Sequence, residues 1–315
     1  MMERPHGPPE ATRIALASTA RDVPASARPL RDSTSTDENV AIMPTNPSDH
    51  DAYAPREIAQ RVETLGVRKA RADTVTLLIL AVLAGAFISL GALFFTVVVT
   101  DASLGFGINR LIGGVAFSLG LILVVIGGGE LFTGNNLIAM AWASGRIGAR
   151  ELLRNWTLVY AGNVLGCLGT VALVVLADID SLAGGDVGET AVLIAKGKAS
   201  LGFVEAFARG ILCNAFVCLA VWLAMSARST TDMILAITPS ITAFVAIGLE
   251  HSIANWFFLP YGIALAANSA FTAADVARNL VATTAGNLVG GSLLVAGVYW
   301  LAYLRADEVD PTRSA

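Results

Sequence analysis

One long stretch of the chain is almost free of charge. Of the 46 Asp, Glu, Lys and Arg side chains, only 20 fall in the 231 residues from Thr74 to Leu304, a share under 9%. Soluble domains carry roughly 25% charged residues, because a water-exposed surface needs polar cover. Together with a mean hydropathy of +0.65, this stretch predicts an all-α integral membrane protein.

The stretch divides into eight charge-free runs. Four of them belong to segments long enough to cross the hydrocarbon core alone, which takes about 20 residues. These segments lie near 74–100, 155–177, 201–226 and 279–304, and the third has Glu205 and Arg209 before its charge-free run. The other four form two couples, one interrupted only by Glu130 and one only by the Glu250-His251 pair. Each couple is interpreted as one span with a break, so we expect six transmembrane helices with spans two and five broken.

The third and sixth spans repeat a pattern. NWTLVYAGNVLG at Asn155–Gly166 and NLVATTAGNLVG at Asn279–Gly290 match at the leading Asn, at Ala-Gly-Asn and at the final Gly, with one offset of 124. Breaks in spans two and five fit the same division of the chain. Because three is an odd number of spans, two three-helix halves must be inverted in the membrane, which brings interrupted helices together near the midplane.

The flanking segments predict the boundaries and the orientation. Residues 1–54 hold many prolines, serines and threonines and are interpreted as a disordered polar tail, in which Met43 is an alternative start. Residues 55–73 read as an amphipathic interfacial helix, 74–304 as the channel domain and 305–315 as a C-terminal tail. With both termini in the cytoplasm, that side carries eleven basic residues against five outside, as basic residues in short loops favour.

The two breaks carry the candidate chemistry. Broken helices are tolerated in lipid only when they are buried in protein or line a cavity, so two opposed breaks predict a pore. The first break, GGGELFTGN, offers the polar groups of Thr133 and Asn135, and helix packing is the alternative role of its glycines. The second holds His251, whose unperturbed pKa near 6.5 suits proton exchange with an anion; a histidine that only hydrogen-bonds between helices is the alternative.

Several charged and aromatic residues lie near the predicted outer ends of the spans. Glu205 and Arg209 are four apart and fit an ion pair on one helix, and Lys198 precedes them in a predicted loop. Such charges either belong to an outer vestibule that concentrates small anions or are only solvated at the surface. Phe117 and Phe244 precede the two breaks, where packing is the ordinary role of a phenylalanine.

Other classes of function find little support in the sequence. Three cysteines in apolar runs predict buried small hydrophobic residues, and a net charge of −4 does not favour nucleic acid as a partner. No cofactor is expected. An intramembrane hydrolase needs a nucleophile with a base or clustered metal ligands, and one membrane histidine argues against an enzyme. A structural or sensory membrane protein has no need of opposed breaks.

Five motifs in colinear order resemble the formate/nitrite transporter family over roughly residues 55–305. They are GELFTGN at Gly129–Asn135, NWTLVYAGNVLG at Asn155–Gly166, GILCNAFVCLAVW at Gly210–Trp222, EHSIANWFFLP at Glu250–Pro260 and NLVATTAGNLVGG at Asn279–Gly291. The resemblance implies an aquaporin-like hourglass subunit, five of which form a homopentamer in the inner membrane, each with its own pore for small monovalent anions.

The resemblance also implies a substrate pathway. His251 is the central histidine and Thr133 the loop threonine that faces it. The remaining pathway residues are two amide donors, three apolar constriction residues and two vestibule residues: Asn214, Asn255, Phe117, Leu121, Phe244, Lys198 and Glu205. Formate is the first expectation for the substrate, nitrite the second and hydrosulfide the third. An aquaporin-like channel for neutral solutes is the rival, but no Asn-Pro-Ala repeat lies at the breaks.

Overall fold

The structure is a computed structural model that describes residues 52–100, 103–266 and 271–305. These residues form helices and contain no β-strand. Six segments are long and apolar enough to cross a membrane: Thr74–Val99, Phe106–Gly127, Ala149–Leu176, Phe203–Ser226, Thr230–Ile247 and Ala273–Tyr303. The prediction of an all-α protein with six candidate spans is confirmed. Met43 and most of both predicted tails lie outside the described residues.

In chain order the helices are α1 (Pro55–Ala70), α2 (Thr74–Val99), α3 (Phe106–Gly127), α4 (Ala139–Ala143), α5 (Ala149–Leu176), α6 (Asp186–Ala199), α7 (Phe203–Ser226), α8 (Thr230–Ile247), α9 (Ser252–Leu265), α10 (Ala273–Leu288) and α11 (Val298–Tyr303). A 3₁₀ turn at Gly134–Ile138 precedes α4, and another at Ile179–Gly185 precedes α6. The segment Val289–Gly297 between α10 and α11 is a π-helix.

The start of α2 is defined by an N-cap. The Asp73 carboxylate accepts the backbone N–H groups of Val75 at 3.1 Å and Thr76 at 3.0 Å, which would otherwise lack partners in the first turn. The bond from the Thr76 N–H lowers the pKa of Asp73 below its ordinary value because it stabilises the carboxylate. The 26 residues that follow carry no charge and satisfy their backbone groups within the helix, as lipid requires.

Two groups of helices pack in the same way. Helix α2 packs against α3 and α5, α7 packs against α8 and α10, and α3 meets α8. Both groups depend on close approach at a glycine, since a Cβ on Gly166 would overlap the carbonyl oxygen of Val82 and one on Gly290 would overlap that of Ile211. These glycines are 124 residues apart, so the sequence repeat corresponds to a repeated packing arrangement.

Helices α3 and α8 end alike. Gly128 follows α3 with φ of 87° and Gly248 follows α8 with φ of 86°, a left-handed conformation that glycine adopts at low cost. After each of these helices the chain passes through a short non-helical segment, which contains Glu130 in one case and Glu250 in the other, before the next helical piece begins. Both ends therefore fall at the two charges that interrupt the apolar couples in the sequence.

The placement of Lys198 in a loop was wrong. Lys198 lies in the last turn of α6, a 14-residue helix with four charged residues, whose polarity hid it among the connecting segments. Its buried positions are four residues apart: Val187, Ala191, Ala195 and Ala199. This apolar stripe packs against α9, and it is the signal that predicts a helix at this place.

The structure has a helix where the amphipathic segment was expected, at Pro55–Ala70. Ile58 and Val62 on its apolar face are buried, and α1 packs against α4 and the 3₁₀ turn before it. Its position at the membrane surface stays a prediction. The three cysteines are free and buried, which confirms their interpretation as small hydrophobic residues.

Candidate transport pathway

The two sequence breaks bring Thr133 and His251 together. The Thr133 Oγ1 and His251 Nε2 atoms are 3.0 Å apart, and both residues are buried. The backbone N–H of Ala254 donates to His251 Nδ1 at 3.0 Å, because His251 is the N-cap of α9. A neutral imidazole whose Nδ1 accepts a hydrogen bond carries its proton on Nε2. The Nε2–H group therefore points toward Thr133.

Two phenylalanines lie next to this pair. The rings of Phe117 and Phe244 make an edge contact with centroids 5.6 Å apart, and the Phe244 ring stacks on the His251 imidazole at 6.0 Å. Phe117, Phe244 and Leu121 are all buried. Two of the predicted constriction residues are therefore aromatic rings in contact with each other, and one of them, Phe244, also contacts the histidine.

Two cavities approach the pair. The His251 cavity has a volume of about 280 Å³, and its lining includes both phenylalanines and four charged residues, Arg110, Lys198, Arg209 and Glu250. The Glu130 cavity has a volume of about 290 Å³, and its lining includes Leu121 and Gly134 with the charged residues Lys69 and Glu130. His251 lines the first cavity and Gly134, next to Thr133, lines the second. The Thr133–His251 contact therefore lies between them.

An ion-pair network lies at the wall of the His251 cavity, where Lys198 and Glu250 are lining residues. Lys198 Nζ lies 3.0 Å from Glu250 Oε1, and the Asn255 amide donates to Glu250 Oε2 at 2.7 Å and to Asn279 Oδ1 at 2.7 Å. The Asn279 amide in turn donates to the Lys198 carbonyl at 2.9 Å. A buried carboxylate is tolerated when it is paired and hydrogen-bonded, and both oxygens of Glu250 are engaged in this network.

The same network backs the Glu130 cavity. Lys69 Nζ lies 3.0 Å from Glu130 Oε1, and the Asn135 amide donates to Glu130 Oε2 at 2.7 Å and to Asn155 Oδ1 at 3.0 Å. The Asn155 amide donates to the Lys69 carbonyl at 3.0 Å. The sequence did not predict Lys69 and Asn155 as site residues, although Asn155 and Asn279 are the leading residues of the repeat.

The asparagines of the two Ala-Gly-Asn motifs, Asn163 and Asn287, form hydrogen bonds with backbone groups of the two breaks. Asn163 donates to the carbonyls of Ala81 at 2.7 Å and Glu130 at 2.8 Å and accepts the Phe132 N–H at 2.9 Å. Asn287 has the same three kinds of partner, the carbonyls of Gly210 at 2.8 Å and Glu250 at 3.0 Å and the Ser252 N–H at 2.8 Å. Each side chain satisfies backbone groups that the break frees.

The predicted amide donors are engaged with protein. Asn214 donates to the Asn287 carbonyl at 2.7 Å, to Asn136 Oδ1 at 2.8 Å and to the Thr133 carbonyl at 3.3 Å. Asn255 donates to Glu250 and Asn279, as described above. Asn214 therefore ties the Thr133 loop to α10, and donation to an anion by either residue stays a prediction.

Glu205 is not a lining residue of the His251 cavity and adjoins it only through Arg209, which lines it. Its carboxylate pairs with Arg209 Nη2 at 2.6 Å, which confirms the expected ion pair on one helix. Half of the Glu205 side chain is exposed, whereas Lys198 is largely buried and lines the cavity. Among the described residues, no three His, Cys, Asp or Glu side chains are grouped as metal ligands.

Six candidate spans and a buried threonine–histidine contact between two cavities define a multi-pass membrane protein with a candidate permeation pathway. The family model described as "Formate/nitrite transporter" matches residues 56–301. The chain belongs to the formate/nitrite transporter family.

Curated relatives cover most of the chain. The formate channel FocA of Escherichia coli (strain K12) is 39% identical over 276 residues, 82% of this chain and 97% of the relative. The formate channel FocA of Haemophilus influenzae is 36% identical over 266 residues, 79% of this chain and 93% of the relative. A solved structure described as a pentameric formate channel with formate bound is 41% identical, with a TM-score of 0.69 over 74% of this chain and 98% of that chain.

Proposed function

We propose that this chain is a channel for small monovalent anions, formate first, across the inner membrane. The observation that carries the proposal is the buried contact between Thr133 and His251 at 3.0 Å, placed between two cavities with cationic lining residues. Relatives whose names identify them as formate channels support formate as the substrate.

The proposed architecture is an aquaporin-like hourglass of two inverted three-helix halves. In it, α3 with α4 and α8 with α9 are the broken second and fifth spans. The ion-pair networks at Glu130 and Glu250 share four contacts, namely the Lys–Glu pair and the three asparagine bonds described above, and these support two equivalent halves. We propose that both termini are cytoplasmic, so that the Glu130 cavity opens inward and the His251 cavity outward. The pentameric assembly of a similar solved structure supports a homopentamer.

The proposed path begins in either cavity, where Lys198 or Lys69 attracts the anion. The anion sheds water at an apolar constriction, formed by Phe117 and Phe244 on one side and by Leu121 on the other, which disfavours hydrated ions. It then displaces the Thr133–His251 contact and accepts the Nε2–H of His251 and the Thr133 hydroxyl. Asn214 and Asn255 hold the loop and helix that carry these two residues, and Glu205 sits at the outer rim.

Proton coupling requires a specific rearrangement at His251. An anion nearby favours the charged imidazolium, which binds its second proton at Nδ1. The Ala254 N–H that donates to Nδ1 must then move away, because a protonated Nδ1 cannot accept it. The second proton comes from water that enters the His251 cavity, and an anion that takes the Nε2 proton leaves as a neutral acid through the apolar constrictions. The imidazole then holds its proton on Nδ1, and it regains the Ala254 bond when water returns a proton to Nε2 and removes the one on Nδ1.

Uptake into liposomes that contain the purified protein tests the proposal. We expect labelled formate to enter faster than into empty vesicles between about pH 5 and pH 8, the range in which an unperturbed histidine changes charge. Nitrite, which the family description includes, and hydrosulfide are tested in parallel. Formate uptake no faster than in empty vesicles, with rapid passage of a neutral solute of similar size, would instead favour the aquaporin-like alternative.

A further inference from the structure

Two arginines give the His251 cavity a feature that the Glu130 cavity does not have. Arg110 Nε donates to the Ala246 carbonyl at 2.9 Å, and its Nη2 donates to the Val245 carbonyl. Arg209 Nη1 donates to the Gly248 carbonyl at 3.2 Å. A Cβ on Gly248 would lie 3.0 Å from Arg110 Nη2. Both guanidinium groups therefore converge on the end of α8, from α3 and from α7.

The repeated architecture identifies the counterparts of these arginines. Glu130 N–H donates to the Leu80 carbonyl at 3.0 Å, and Glu250 N–H donates to the Arg209 carbonyl at 3.5 Å. Leu80 therefore holds the position of Arg209 in the other half. The offset of 120 residues that relates Gly128 to Gly248 and Glu130 to Glu250 relates Arg110 to Thr230. Neither counterpart is cationic.

This comparison separates two roles for the arginines. Arginine near a helix C-terminus commonly caps the last carbonyl groups. However, α3 ends with a left-handed glycine, just as α8 does. The positions that correspond to Arg209 and Arg110 in the other half hold Leu80 and Thr230. A helix end of this geometry thus forms without guanidinium groups there, so capping alone does not require Arg110 and Arg209.

The charges around the two cavities differ accordingly. Among the described residues, the charged lining of the His251 cavity is three cations and one carboxylate, whereas the Glu130 cavity has one of each. A guanidinium has five N–H donors, and the bonds described above use two on Arg110 and two on Arg209. Each guanidinium therefore has N–H donors beyond these bonds, and its planar fork suits a carboxylate.

We infer that Arg110 and Arg209 form a binding subsite for a small carboxylate in the His251 cavity, before the phenylalanine constriction. The inference rests on the proposed function and adds to it a difference between the two sides of the channel. Half-saturation with formate should need a lower concentration from the His251 side than from the Glu130 side. Glu205, which pairs with Arg209, competes with the bound anion for one edge of that guanidinium.

The test measures formate uptake from each side, with right-side-out and inside-out membrane vesicles. Arg209→Leu introduces the residue of the counterpart position. We expect it to raise the half-saturating formate concentration about fivefold from the His251 side, the scale of an exposed charge pair, and to leave the other side unchanged. Arg209→Lys keeps the charge without the fork and should lie between. Glu205→Gln should lower the half-saturating concentration from the His251 side.

Ionic strength supplies an independent readout. Because about 0.5 M salt screens exposed charges strongly, it should reduce the difference between the two sides in the wild type and have less effect in Arg209→Leu. Equal half-saturation from both sides in the wild type, or equal shifts on both sides in Arg209→Leu, would overturn the subsite while the channel stands. No wild-type uptake from either side would overturn the channel itself and the subsite with it.

Discussion

The two halves of the molecule share a scaffold and differ at its centre. Lys69 and Glu130 repeat the contacts of Lys198 and Glu250, and Asn163 repeats those of Asn287. The Phe132 N–H donates to Asn163 and the Ser252 N–H donates to Asn287, so Phe132 and Ser252 occupy equivalent positions. In this alignment Leu131 corresponds to His251, and Ile253 corresponds to Thr133. The repeat therefore builds two equivalent supports, and the candidate chemistry lies at the positions where the repeat fails.

The largest effect is expected at the shared scaffold. Asn163→Leu leaves the Glu130 carbonyl and the Phe132 N–H without a partner, and Asn287→Leu does the same to the Glu250 carbonyl and the Ser252 N–H, at about 1–3 kcal/mol for each group. Both variants should therefore lose the folded protein in detergent, measured as yield and thermal midpoint by size-exclusion chromatography. Thr238→Val, on an exposed part of α8, is the control. A marked difference between the two asparagine variants would break the equivalence of the halves.

The next effect distinguishes the two ion pairs. Lys198→Met removes the cation that pairs with Glu250, and Lys69→Met removes the cation that pairs with Glu130. The Glu250 side chain is 4% exposed and the Glu130 side chain is 12% exposed. Breaking a buried pair costs about 3–5 kcal/mol, so we expect both variants to lower the thermal midpoint and Lys198→Met to lower it more.

The double variant Lys198→Met/Glu250→Gln is the control for that experiment. It removes the uncompensated charge and should recover part of the lost stability. The reverse order of the two lysine variants, or no recovery in the double variant, would contradict the assignment of the cost to a buried carboxylate.

A smaller effect separates the two network amides. Asn135 Oδ1 accepts a hydrogen bond from Lys69 Nζ at 3.0 Å, whereas Asn255 Oδ1 has no partner among the described residues. Asn135→Leu should therefore cost about 1 kcal/mol more than Asn255→Leu, the scale of one hydrogen bond. Chemical denaturation of both variants measures this difference, and equal costs would remove the distinction.

The smallest effect concerns the N-caps of α2 and α7. Asp73 caps α2, whereas Gly202 precedes α7 without a side-chain cap. Because the folded-state pKa of Asp73 is lowered, its carboxylate stabilises the folded protein above its unfolded pKa of about 3.9. That contribution is lost as the pH falls through the folded pKa. The midpoint difference between wild type and Asp73→Asn should shrink from pH 6 toward pH 3; a constant difference would contradict this.

Much of the fold follows from the distribution of charge. Lipid excludes unpaired charge and unpaired backbone groups, so the apolar runs mark the spans and Glu130 and Glu250 mark the ends of α3 and α8. Helix α6 escaped prediction because its charged residues place it outside that pattern. Only its four-residue apolar stripe, which needs α9 to bury it, identifies it.

A site residue could be predicted from the sequence where its residue type is rare in the surrounding apolar run. His251 stands out as the only histidine between Thr74 and Leu304, and Thr133 follows from the resemblance. Lys69 and Arg110 were missed because their partners lie 61 and 136 residues away in the chain. No local pattern predicts such contacts, and only the packing of the two halves brings the residues together.

We propose that His251 carries chemistry that its counterpart Leu131 cannot. His251→Leu places the residue of the other half at this position, and formate uptake by liposomes across pH 5 to pH 8 tests it most directly. We predict loss of pH-dependent uptake with the oligomeric mass of the wild type, and a lower thermal midpoint of the size that loss of the α9 N-cap explains, about 0.5–2 kcal/mol. Formate uptake by His251→Leu at the wild-type rate and with the same pH dependence would contradict this role of His251.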